Sequence, residues 1–143
     1  MILLDANVLI YGYDETSPHH EPARRWIEDA FSESEEIGIA LVSILAFLRV
    51  MTNPGLFETP MMAAEAVEVV TEWLSRPNVG VAQPTPRHFE LMSELARSGK
   101  ARGPLLMDAH VAALAVEHGA TLCTSDRDFT RFPGIRLEDP LGN

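Results

Sequence analysis

Cysteine is nearly absent from this chain. Cys123 is the only one in 143 residues, so no internal disulfide can form. A reducing, cytoplasmic setting is expected, and the N-terminus shows neither the basic region nor the long apolar segment of a secretory signal. No window approaches ~18 consecutive apolar residues, so no membrane span is expected. Positive charge is scarce too: 11 Lys and Arg stand against 21 Asp and Glu, a formal net charge of −10. That balance argues against broad, sequence-independent binding to a phosphate backbone. It leaves room for nucleic acid held through a metal ion, which inverts the local electrostatics of clustered carboxylates, and it suits a basic protein partner. There is no Gly-rich phosphate loop. Nor is there a His-x-x-x-His or Cys-x-x-Cys pair of the kind that holds zinc. Ser43 and Cys123 have no evident base nearby in sequence, which leaves nucleophilic catalysis with little support.

What is present is an ordinary globular composition, 46% hydrophobic and 22% charged, long enough to bury a real core. A single domain over residues 1–143 is expected. Short apolar runs at Ile2–Leu4, residues 37–42, Val79–Ala82, residues 120–124 and 134–138 read as strands. Between them lie helical patterns. Ser17-Pro18, Thr59-Pro60 and Thr85-Pro86 read as helix starts, Ser43 as the cap of the helix ILAFLRVMT, and Gly119 as a stop after residues 108–118. Strands alternating with helices predict an α/β fold with a mostly parallel sheet.

Acids recur at one kind of place. Asp5 directly follows the first strand, Asp108 opens a helix, and Asp126 and Asp128 follow the run ATLCT. The carboxyl ends of strands are where open α/β sheets bind ligands. Each acid alone has a structural reading, as a turn residue or a helix cap. Together they would repel one another unless protonated or neutralised by a cation. Their oxygen donors suit Mg²⁺. Asn7 reads as a turn residue or as a group orienting Asp5. Thr124 and Ser125 read as turn caps or as donors to a carboxylate or phosphate. Arg49 is either a solvated helix residue or a phosphate contact at the site's mouth. His88 reads as a surface residue, and His110 faces away from Asp108 on its helix.

Three segments carry a family resemblance: LLDANVLIYG at the N-terminus, FLRVMTNPGLF in the middle, and MDAHVAALAVEHGATLCTSDRDF near the C-terminus. Through them the chain resembles the PIN-domain toxins of the VapC type over nearly its whole length. The resemblance implies a three-layer α/β/α domain and Mg²⁺- or Mn²⁺-dependent endoribonuclease activity. It also implies inhibition by a cognate antitoxin and a homodimer. It places Asp5, Asp108 and Asp126 as metal-binding and catalytic acids, Asp128 as a frequent fourth acid, and Thr124 as the hydroxyl before that late cluster. One departure stands out. The family usually carries a Glu on the helix after the second strand, in a context such as LAEL. This chain reads LAFL, with Phe47 in the acid's place. Phe47 is then either plain core or a platform for a nucleobase. Two rival functions follow. One is a regulatory module that binds antitoxin or RNA with weakened cleavage. The other is a phosphoryl-transfer enzyme using Asp5 as nucleophile, for which the chain has few lysines and Asn7 where a second acid would stand.

Overall fold

The computed structural model describes residues 1–142. In chain order the elements are β1 (Ile2–Leu4), α1 (Ala6–Tyr13), α2 (His20–Ser32), β2 (Ile37–Ala40), α3 (Leu41–Met51), α4 (Ala63–Ser75), β3 (Val79–Ala82), α5 (His88–Ser98), α6 (Leu105–Glu117), β4 (Thr121–Cys123), a 3-10 turn (Arg127–Arg131) and β5 (Arg136–Glu138). The strands form one sheet in the order β3-β2-β1-β4-β5, and every pairing is parallel. All carboxyl ends therefore lie on one edge.

Alternation along each strand sends successive side chains to opposite faces. Leu4, Ile37, Ile39 and Val79 join a core with α1, α2, α3 and α4. Leu3, Ala40, Ala82 and Leu122 join a second core with α5, α6 and the 3-10 turn. The result is three layers, α/β/α, as expected. β1 sits at the centre, with Leu3 and Leu4 fully buried.

Several boundaries differ from the sequence expectation. The segment after Asp5 is a helix, α1, for which no start had been assigned; Gly12 lets it pack closely on Ile27 of α2. The three Ser/Thr-Pro pairs do not cap their helices. α2, α4 and α5 begin two to three residues later, with His19, Met62 and Arg87 at the capping position and no side-chain cap bond. Ser17 Oγ instead accepts from the His19 N–H (3.1 Å), in a local turn. The second strand ends at Ala40, so Ser43 is the buried third residue of α3 and not its cap. Asp108 sits in the first turn of α6, which starts at Leu105. Gly119 does stop α6: its φ is +61°, and the Ala120 N–H reaches back to the Ala115 carbonyl (2.9 Å) in a Schellman arrangement. No helix among the described residues is long and apolar enough to cross a membrane.

Candidate metal-binding and active site

The site is built at the carboxyl ends of β1 and β4, where two chain reversals meet the start of α6. β1 hands directly to α1 through Asp5. The Asp5 N–H donates to the Cys123 carbonyl (3.0 Å), which fixes the residue to the end of β4. Asp5 Oδ1 accepts from the Ala6 N–H (2.8 Å), so the structural and chemical readings of this acid hold at once: it caps α1 and faces the site. Asp5 Oδ2 accepts from Thr124 Oγ1 (2.8 Å).

Thr124 ties the site together. It is buried, and its single hydroxyl hydrogen is committed to Asp5. Its oxygen accepts from Asn7 Nδ2 (3.3 Å) and from the Asp126 N–H (3.0 Å). Because that oxygen has no second hydrogen to give, the Asn7 amide must present its NH₂ group, and Asn7 Oδ1 is left buried without a partner among the described residues. One side chain thus joins β1, α1 and the loop after β4.

That loop carries the late acids. Asp126 Oδ1 accepts from the Asp128 N–H (2.9 Å) and starts the 3-10 turn. Asp108 comes across from the first turn of α6. Carboxylate oxygens of Asp108, Asp126 and Asp128 lie within 4.8 Å of one another. The electrostatics record the crowding. Asp108 is pushed up to about 6, first by burial, then by the charges of Asp126, Asp5 and Asp128, with Arg131 pulling the other way. Burial also raises Asp5, against the opposing bonds from Thr124 and Ala6.

Of the residues singled out in the sequence, Asp5, Asn7, Asp108, Thr124, Asp126 and Asp128 converge. Ser125 sits half-buried between Thr124 and Asp126, with no side-chain hydrogen bond among the described residues. Arg49 does not converge. It is exposed on the last turn of α3, eight residues along a helix that runs away from the sheet edge, roughly 12 Å at ~1.5 Å per residue. The cation near the acids is Arg131, held by the Asp128 carbonyl (3.2 Å) and the Gly99 carbonyl (3.0 Å). Sequence reasoning passed over it because Gly99 is 32 positions away. Phe47 is core. It has no exposure and packs edge-on against Tyr13 (5.5 Å) and Trp73 (4.6 Å), so it offers no platform to a base.

A second constellation was invisible in sequence. Glu117 Oε1 accepts from the Thr85 N–H (2.7 Å) and Oγ1 (2.6 Å), and its Oε2 bonds His88 Nδ1. His88 Nε2 in turn meets His110 Nδ1 (2.8 Å). His88 is therefore no free surface residue. Burial pushes Glu117 up, but the bonds from Thr85 and His88 win and hold it below the usual range. The chain clamps the β3–α5 connection onto α6.

The donor set fits a hard divalent cation: carboxylate oxygens only, mutually repelling, with no thiol or imidazole among them.

Known proteins resemble this chain along nearly its whole length. Residues 2–135 match the PIN domain family. Ribonuclease VapC37 of Mycobacterium tuberculosis is 41% identical over 140 residues, covering 98% of this chain and 97% of that protein. Ribonuclease VapC33 of the same species is 33% identical over 141 residues, covering 99% of each. A DNA-bound VapBC structure from Salmonella typhimurium superposes with a TM-score of 0.66 at 25% identity, over 97% of both chains. M. tuberculosis VapC20, described as a Sarcin-Ricin loop cleaving toxin, superposes with a TM-score of 0.68 at 18% identity, over 95% of this chain and 99% of that one. On the sequence match, the full-length relatives and the shared fold together, the chain belongs to the PIN domain family, within its VapC group.

Proposed function

We propose that this protein is the toxin of a toxin–antitoxin pair, a Mg²⁺- or Mn²⁺-dependent endoribonuclease that hydrolyses phosphodiester bonds, acting as a single cytoplasmic domain over residues 1–143. The observation that carries the reading is the convergence of Asp108, Asp126 and Asp128 within 4.8 Å, with Asp5 tied to the same loop through Thr124. Asp108, Asp126 and Asp128 would hold the cation together with Asp5, with the exposed Asp128 at the open side. When bound, a divalent ion supplies a lowered pKa to its water and charge stabilisation to a reacting phosphate. The protein's own residues do the rest. Thr124 fixes the Asp5 carboxylate by donating to it. Asn7 fixes Thr124. The bond from the Asp128 N–H orients Asp126. Arg131 adds positive charge beside an otherwise repulsive edge, which favours a phosphate there. Specificity would come from unpaired bases of a single-stranded RNA segment.

An antitoxin partner is supported by a groove of about 590 Å³ between α1, α3 and α4. Tyr13, Met51, Phe57 and Met61 line it beside Glu15, Glu58 and Glu65. Apolar walls with acidic edges suit an amphipathic basic segment. A homodimer completes the proposed assembly.

Burial of Phe47 favours a second reading, the regulatory module that binds antitoxin or RNA with weakened cleavage, since no acid stands at that position. Cleavage of single-stranded RNA in Mn²⁺ and in EDTA separates the two. The nuclease reading expects cleavage that EDTA abolishes and that Asp108→Asn reduces by at least about a hundredfold, the order of loss for a group acting directly in catalysis. Binding without metal-dependent cleavage would favour the module.

A further inference from the structure

The two edges of the sheet are built differently. β5, Arg136-Leu137-Glu138, carries a charge at each end and is exposed throughout. Charged residues on an edge strand discourage pairing with another chain. β3 at the opposite edge reads Val-Gly-Val-Ala, with no charge and no proline within the strand. Among the described residues it pairs only with β2. The Ile37 N–H donates to the Asn78 carbonyl (2.7 Å). With the parallel register Ile37–Val79, Gly38–Gly80 and Ile39–Val81, that bond turns the N–H and carbonyl of Val81 away from β2. They form an open, unpaired edge.

Beside this edge lies a trough of about 660 Å³. Its open floor is the sheet face at Gly80, while Gly38 beside it is buried. The methyl of Met1 lies over Gly38, where a Cβ has no room, whereas a Cβ on Gly80 would meet nothing within 4 Å. His118, the C-cap of α6, lines the trough, and its Nε2 bonds the Gln83 carbonyl just past β3 (2.7 Å). The rim carries Glu33 and Glu36, both exposed. The trough is therefore open at Gly80, walled by Met1 and His118, edged by the backbone of Val81 and flanked by Glu33 and Glu36.

We propose that the free edge of β3 is a second docking surface, distinct from the acid cluster, and that it takes an extended basic segment of a partner protein as a sixth strand. Main-chain bonds to Val81 would supply affinity, and alternate side chains of the added strand would fall beside the exposed Gly80. An arginine there reaches Glu33 or Glu36 while its planar group lies flat over Gly80. RNA is disfavoured by the acidic rim, and a second copy of a chain at −10 by like charge. The inference does not rest on nuclease activity.

The test uses the intact protein and two synthetic extended peptides, one alternating arginine with valine and one with glutamate in place of arginine. Amide NMR in the presence of Mg²⁺ follows Gly38, Gly80 and Val81. The arginine peptide should shift these amides saturably and slow hydrogen exchange at Val81, and the glutamate peptide should not. The double variant Glu33→Gln, Glu36→Gln should weaken binding about fivefold, as expected for two partly exposed ion pairs, with RNA cleavage unchanged. Three outcomes overturn the proposal: arginine-peptide shifts confined to the neighbourhood of Asp108 or of the groove at Met61; protection of Val81 that tracks protein concentration without peptide, which would make the occupant a second copy; or stronger shifts at Gly80 from a single-stranded RNA in EDTA than from the peptide.

Discussion

Asp108 is the residue at which the site's electrostatics are most easily read. Its carboxyl is raised from an ordinary 3.8 to about 6, chiefly by burial and by the neighbouring acids. The folded state therefore holds this proton more tightly than the unfolded chain does. The stability linked to it is fully present below about 4 and is lost as pH rises through about 6. In EDTA, the melting temperature of wild type relative to Asp108→Asn should fall as pH rises across that window. With Mn²⁺ the fall should disappear, because the cation neutralises the repulsion. A pH-independent difference in EDTA would show that the acids do not feel one another. Asp5→Asn should act in the same direction on metal-free stability, since burial opposes its charge, and should weaken divalent binding and abolish RNA cleavage. Phe47 makes the complementary residue-scale case. Fully buried between Tyr13 and Trp73, it should lose about 3–5 kcal/mol on truncation to Ala. Phe47→Glu should destabilise the protein equally in EDTA and in Mn²⁺, because an unpaired charge replaces a packed ring. Selective rescue of that variant by Mn²⁺ would place position 47 among the acids.

At the scale of elements, the clamp between the β3–α5 connection and α6 depends on Glu117. Its side chain is almost wholly buried, at 1% exposure, so each bond it receives matters. Glu117→Ala leaves the Thr85 N–H and the His88 ring without their partner, at a cost of about 1–3 kcal/mol. Hydrogen exchange should quicken along α5, while Mn²⁺ affinity stays as in wild type. A loss of Mn²⁺ affinity with α5 still protected would tie this chain to the acid site instead. The clamp also shows what local sequence signals miss. Thr85-Pro86 reads as a helix start, but the Thr85 hydroxyl is spent on a residue 32 positions away, and α5 begins at His88. α1 escaped for a related reason. Its sequence ANVLIYGY is apolar nearly throughout and includes a glycine, so no helical face emerges. Its N-cap, Asp5, also accepts from Thr124 of the loop after β4.

For the whole molecule, what the sequence conveys best is what depends on burial alone. The runs at β1 and β2 read as buried strands because both faces of a covered parallel sheet are apolar, and β3 keeps the apolar run although its Gly80 is exposed. With the strands placed, the shared edge follows, and Asp5, Asp108 and Asp126 are legible as acids brought to it. Arg131, the Glu117–His88–His110 chain and the fate of Phe47 were not legible, since each is decided by a partner far along the chain. The charge of −10 also acts at this scale. Association with a basic antitoxin should be steered electrostatically, so its on-rate should fall steeply as NaCl increases. An on-rate indifferent to salt would argue that the acidic grooves do not guide the encounter.

The central claim is that this sheet edge holds a divalent cation. Anomalous diffraction from crystals of the protein soaked in Mn²⁺ tests it most directly. An anomalous peak is expected among Asp5, Asp108, Asp126 and Asp128, and it should be lost in Asp108→Asn. A peak only elsewhere, or none at saturating Mn²⁺, would contradict it.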